Sequence, residues 1–111
     1  MTIRNGKDKS AKEIVRLFRV WYLINCKQGD KRSGFYCGIT NDPETRKTTH
    51  EREDHGGKEI EMIVVYECDS VDIAIEAENL MDAEGFDIGR PPHPGNGAVA
   101  DSKFVYLYRK P

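Results

Sequence analysis

Phe35-Tyr36-Cys37-Gly38-Ile39-Thr40-Asn41-Asp42-Pro43-Glu44-Thr45-Arg46 joins an aromatic, β-branched run to a helix start. The run reads as a strand. Asp42 then offers a capping carboxylate and Pro43 occupies the first helical position, so a helix over residues 43–52 is predicted. That helix carries Arg46 and His50, which are four residues apart and share one face. Upstream, Val20-Trp21-Tyr22-Leu23-Ile24 is also aromatic and β-branched, and a turn-rich stretch over 27–34 separates it from Phe35. The two runs read together as a β-hairpin with a long polar loop. Before them, residues 10–19 place Ile14, Leu17 and Phe18 at helical spacing behind Ser10, which can cap a short amphipathic helix.

Downstream, His55-Gly56-Gly57 breaks the second helix and Ile60-Glu61-Met62-Ile63-Val64-Val65-Tyr66 has the length and branching of a third strand. Asp69 or Ser70 can cap a helix over about 71–84 that stops at Gly85. Residues 86–102 hold three of the five prolines and read as a long irregular loop, and Phe104-Val105-Tyr106-Leu107-Tyr108 closes the chain as a strand. The expected architecture is α+β: a small antiparallel or mixed sheet with helices packed on it.

At 111 residues and 12.7 kDa the chain suits one compact domain, and 38% hydrophobic residues beside 32% charged ones favour a globular fold over disorder. No apolar run reaches the roughly 20 residues of a membrane span, and the first residues lack the apolar stretch of a signal peptide. A cytoplasmic location without membrane attachment is the expectation. Cys26, Cys37 and Cys68 are odd in number and widely spaced, which points to reduced, buried thiols rather than a disulfide framework or a zinc site. The net charge of −2 conceals a sharp asymmetry. Residues 1–20 hold six basic side chains against two acidic, whereas residues 51–88 hold two against thirteen. A basic surface for a polyanion can therefore coexist with an acidic total.

Tyr22 and Tyr36 are separated by thirteen residues, Gly38 follows Tyr36 by two, Arg46 follows Gly38 by eight and His50 follows Arg46 by four. In this combination the chain resembles the GIY-YIG nuclease domain, with Val20-Trp21-Tyr22 and Tyr36-Cys37-Gly38 standing for the two name-giving triplets. On this reading residues 1–19 are an N-terminal extension with a short helix and residues 20–111 are the nuclease-like domain. The resemblance implies a metal-dependent endonuclease that hydrolyses DNA phosphodiester bonds, with little sequence specificity of its own. It assigns Tyr36 to activating the attacking water, Tyr22 to orienting that water or the phosphate, and Arg46 to the charge on the pentacovalent phosphate. His50 would bond to a phosphate oxygen, and Gly38 would leave the backbone open to the substrate.

The same resemblance implies one Mg²⁺, or Mn²⁺, held by a glutamate of the helix over 71–84. Glu78 has Ala74, Ile75 and Met81 at the family's spacing, and Glu76 is the alternative, with Asp72 where the alanine belongs. Asn96 and His93 lie in the proline-rich loop, where a turn-forming role is the plainer reading. Between His50 and the third strand the connector holds four acids against two bases. That acidity keeps open a non-catalytic GIY-YIG module that binds nucleic acid or a protein partner, and a homodimer is open as well. Lys12, Arg16, Arg19, Lys103 and Arg109 are candidates for weak, salt-sensitive contacts with DNA.

Overall fold

The capping box at Ser10 starts a helix that runs far past the short one expected. In a computed structural model, which describes residues 1–89 and 101–111, the Ser10 hydroxyl accepts from the Glu13 N–H and the Glu13 carboxylate accepts from the Ser10 N–H. The elements in chain order are β1 (Ile3–Gly6), α1 (Ala11–Asn25), a 3₁₀ turn (Arg32–Gly34), β2 (Phe35–Thr40), α2 (Pro43–Thr49), a π-helical turn (His50–Asp54), β3 (Ile63–Cys68), α3 (Val71–Ala83) and β4 (Phe104–Arg109). The four strands form one mixed sheet in the order β1-β3-β4-β2. β1 runs parallel to β3, and β4 lies antiparallel to both β3 and β2. The architecture is a small α+β layered fold.

The expected hairpin between residues 20–24 and 35–40 does not form, because Val20 to Ile24 belong to α1. No glycine or proline interrupts residues 11–25, and Ile14, Phe18 and Tyr22 recur every fourth residue, so a single stripe faces the sheet. Tyr22 closes that stripe, only 9% exposed, with its ring edge-on to Phe35 and Phe86. Val20, Leu23 and Ile24 point to solvent instead. Burial of the helical stripe outweighs the β-propensity of the run. The strand that does pair with β2 is β4, from the end of the chain, with Tyr36 opposite Tyr108 and Gly38 opposite Tyr106.

β1, which lies within the supposed N-terminal extension, is part of the sheet, and α1 supplies Ala11, Ile14, Val15, Phe18 and Tyr22 to the core. Residues 1–19 therefore belong to the same folded unit as the rest. β3 begins later than expected, at Ile63; Ile60 is buried below it and its N–H donates to the Glu51 carboxylate at 2.7 Å. α3 agrees with its expectation: Ser70 caps it, and Gly85 beyond it takes a positive φ of 93°.

The strand alternation divides the interior into two layers. Phe35, Cys37, Val64, Tyr66, Cys68, Val105 and Leu107 face α1 and α3. Tyr36, Val65, Tyr106 and Tyr108 face the other way, toward α2 and the π-helical turn. The thiols are free as expected, with Cys37 and Cys68 buried. Burial pushes both thiols up, that of Cys68 to about 11. Among the described residues no helix is long and apolar enough to cross a membrane.

Candidate functional site

The second layer opens into a cleft of about 540 Å³ lined by Tyr36, Arg46, His50, His55 and Tyr108, with Asp54, Asp87 and Lys110 at its margins. Each wall has a local cause. Asp42 caps α2 by accepting from the Thr45 N–H at 3.2 Å, and Pro43 sits in the first turn, which fixes where the helix begins. Arg46 lines the cleft beside Tyr36, and the Tyr106 and Tyr36 phenols are near enough to favour its charge. After Thr49 the helix loosens into the π-helical turn, a geometry frequent at functional sites.

Tyr36, Tyr106 and Tyr108 occupy neighbouring positions on one face of β2 and β4. The Tyr106 and Tyr108 rings stack at 6.3 Å and 13°, and Tyr36 lies 5.4 Å from Tyr108. His50 stands against this ladder, with its ring centroid 4.8 Å from that of Tyr36 and 5.2 Å from that of Tyr108. It is only 2% exposed, yet both ring nitrogens are satisfied: Nδ1 lies 2.6 Å from the Asp54 carboxylate and Nε2 lies 2.7 Å from the Tyr106 hydroxyl. Burial holds the imidazole below its ordinary pKa, against the Asp54 hydrogen bond and with help from the nearby Arg46 charge. Burial also pushes the Tyr106 and Tyr108 phenols far up, so both carry their protons at neutral pH. The second histidine, His55, joins the same network, since its Nε2 meets the Tyr108 hydroxyl at 2.8 Å.

Gly38 has a different task from the one expected. A Cβ built there would lie 2.4 Å from the Tyr106 hydroxyl and 2.6 Å from its Cζ, so the space above this glycine is occupied by the Tyr106 ring. The missing side chain makes room for a tyrosine ring. On the outer edge of β2, Cys37 N–H donates to the Asp87 carbonyl at 2.8 Å and Asp87 N–H donates to the Phe35 carbonyl at 3.1 Å. This brings the Asp87 carboxylate to the cleft margin, where Lys110 Nζ donates to it at 2.5 Å. Burial raises the Asp87 carboxyl, but the hydrogen bonds from Lys110 and the Gly89 N–H outweigh it, and the net shift is downward.

Of the residues singled out in the sequence, Tyr36, Arg46 and His50 come together here. Tyr22 does not, because α1 lies on the other face of the sheet. Glu78 also belongs to that face: it is buried on α3 among Ala74, Ala77 and Met81, whereas Glu76 is exposed to solvent. Lys12, Arg16 and Arg19 lie on α1, away from the cleft, and Arg109 forms a two-pronged ion pair with Asp30 at 3.0 and 3.1 Å. Asn96 and His93 lie outside the described residues. Tyr106, Tyr108, Asp54 and His55 are the additions. Their signals were in the sequence, as the two-residue spacing of the tyrosines and the four-residue spacing of His50 and Asp54.

The α3 glutamate that the resemblance implies for the metal is not among the described residues lining the cleft. The cleft's two carboxylates are each engaged, Asp54 by His50 and Asp87 by Lys110. Among the described residues no group of three or more His, Cys, Asp or Glu side chains is placed to hold a metal ion. The cleft can do other things: Arg46 presents a planar cation, the Tyr36 hydroxyl offers a donor and acceptor, and the ladder beneath keeps both in place. No protein-family model, curated protein or solved structure gives a significant match to the chain.

Proposed function

We propose that the chain is a nuclease of the GIY-YIG kind that hydrolyses phosphodiester bonds of DNA with little sequence preference. The observation that carries this reading is the meeting of Tyr36, Arg46 and His50 at one open cleft, three of the five residues whose spacing produced the resemblance. In the family pattern two tyrosines come from paired strands. Here the strand paired with that of Tyr36 is β4, so the β4 tyrosines take the structural place of Tyr22 beside Tyr36. The two strands are then used in reversed chain order, the partner strand following the Arg46 helix instead of preceding it.

In this reading Arg46 binds the non-bridging oxygens of a phosphodiester and stabilises the charge that grows on them as water attacks phosphorus. Tyr36, half-buried at the cleft floor, orients the water or the phosphate by its hydroxyl. One P–O bond to a sugar breaks, leaving a phosphate monoester on one fragment and a hydroxyl on the other. The tyrosine ladder and His50 hold Arg46 in position and contribute no charge of their own at neutral pH. One cleft engages one strand, so nicks are the expected product.

Purified chain incubated with supercoiled plasmid in Mg²⁺ or Mn²⁺ buffer tests the reading. Open-circle product is expected, slowed about 100-fold or more by Arg46→Ala, the scale of losing one charge-stabilising donor. No nicking of any DNA form, with retained and salt-sensitive binding, would favour the non-catalytic module. Nicking unaffected by Arg46→Ala would overturn the site.

A further inference from the structure

The hydrogen-bond chain behind Arg46 has a direction. An ionised carboxylate only accepts, so the short contact between Asp54 and His50 requires the proton on Nδ1. With the imidazole neutral, Nε2 is then the acceptor, and the Tyr106 hydroxyl must donate to it across 2.7 Å. Having spent its proton inward, the Tyr106 oxygen keeps its lone pairs for a cation, and the Arg46 guanidinium is near enough to act on it electrostatically. We propose that Asp54 is the positioning residue of this cleft: through His50 it fixes the direction of the Tyr106 hydroxyl, and through that oxygen it aims Arg46. The inference rests on the nuclease reading only for its effect on rate.

The surroundings leave Asp54 as the group that makes this choice. Among the described residues, the charged and titratable groups facing His50 are Arg46 from α2, Tyr36 from β2, Tyr106 and Tyr108 from β4, and Asp54 and His55 from its own turn and the residue after it. Among the described residues Asp54 is the one carboxylate that meets its ring. Were the proton on Nε2 instead, the Tyr106 oxygen would receive two donors, His50 and Arg46, and its own hydrogen would point away from both. Asp54 itself is 54% exposed in its side chain, so its replacement removes no core packing.

Asp54→Asn is the discriminating variant, since an amide can donate to Nδ1 and so admits the Nε2–H form. Long-range ¹H–¹⁵N spectra of the full chain at neutral pH should show His50 as the Nδ1–H tautomer. Asp54→Asn and Asp54→Ala should shift it to the Nε2–H form or a mixture, with a urea midpoint close to that of the unsubstituted chain. Nicking should slow at least tenfold through kcat with KM little changed. An unshifted Nδ1–H tautomer in both variants overturns the proposal, as does a nicking rate within twofold of the original. Should the original chain nick nothing, the spectra alone decide the positioning role and only the nuclease reading falls.

Discussion

Gly38→Ala isolates the contact on which the cleft is built. The added methyl carbon would sit 2.4 Å from the Tyr106 hydroxyl and 2.6 Å from its Cζ, against an ordinary contact of 3.4 Å or more. Tyr106 is 3% exposed and stacked on Tyr108, so the ring has little room to retreat. Overpacking of this kind costs about 1–3 kcal/mol. Moving the ring also strips the buried His50 Nε2 of its donor, which adds about 1–3 kcal/mol for an unsatisfied buried group. A loss of about 2–5 kcal/mol follows, or a urea midpoint lowered by about 1–2.5 M at a slope of about 2 kcal/mol per M. The assay is urea denaturation followed by tryptophan fluorescence, run on Gly38→Ala alone and in a Tyr106→Val background. Valine ends before the ring begins, so the same glycine substitution should cost under about 0.5 kcal/mol there. Equal costs in the two backgrounds, or a tolerated Gly38→Ala in the original chain, would refute the packing argument.

Lowering the pH from 7 to 5 should destabilise the fold through His50. Its folded pKa lies below its unfolded one, so the unfolded chain takes up the proton first; this contribution is full above the unfolded value and fades as pH falls toward the folded one. His50→Gln should flatten that slope in denaturation curves recorded across the range. Asp30 acts in a lower window. The Arg109 hydrogen bonds hold its carboxyl below the usual value, so its support is present above the unfolded pKa and lost as pH falls through the lowered one, a dependence Asp30→Asn should remove. Ser10→Ala should cost about 1 kcal/mol in the same denaturation assay by opening the capping box of α1. Alkylation followed by mass spectrometry should modify half-buried Cys26 well before Cys37 and Cys68, whose thiols are buried and hard to ionise.

Local signals were sufficient wherever one chain segment determines its own structure. Asp42-Pro43 starting α2, Ser70 capping α3 and Gly85 ending it are readable because cap and stop chemistry acts within a few residues. The run Val20-Trp21-Tyr22-Leu23-Ile24 was misleading for the opposite reason. Its β-branched and aromatic content favours a strand, but the choice was made by the fourfold spacing of Ile14, Phe18 and Tyr22 and by the rings of Phe35 and Phe86 that receive Tyr22. β1 had no readable signature at all, being four residues of Ile3-Arg4-Asn5-Gly6 that become a strand only because β3 offers an edge. The site followed the same division. Tyr36, Arg46 and His50 lie close in sequence and their convergence was legible. Tyr106 enters only through its strand pairing with Gly38 across 67 intervening residues, which no periodicity encodes.

On the proposed reading the catalytic cleft is the one built from β2, α2 and β4, with α1 playing only a structural part. Nicking of supercoiled plasmid by Tyr106→Phe and Tyr22→Phe, measured side by side on proteins shown to be folded, tests it most directly. Tyr106→Phe removes the hydroxyl between His50 and Arg46 and should slow nicking at least tenfold, while Tyr22→Phe should leave the rate within twofold. A loss confined to Tyr22→Phe, or no nicking by the original chain, would contradict the claim.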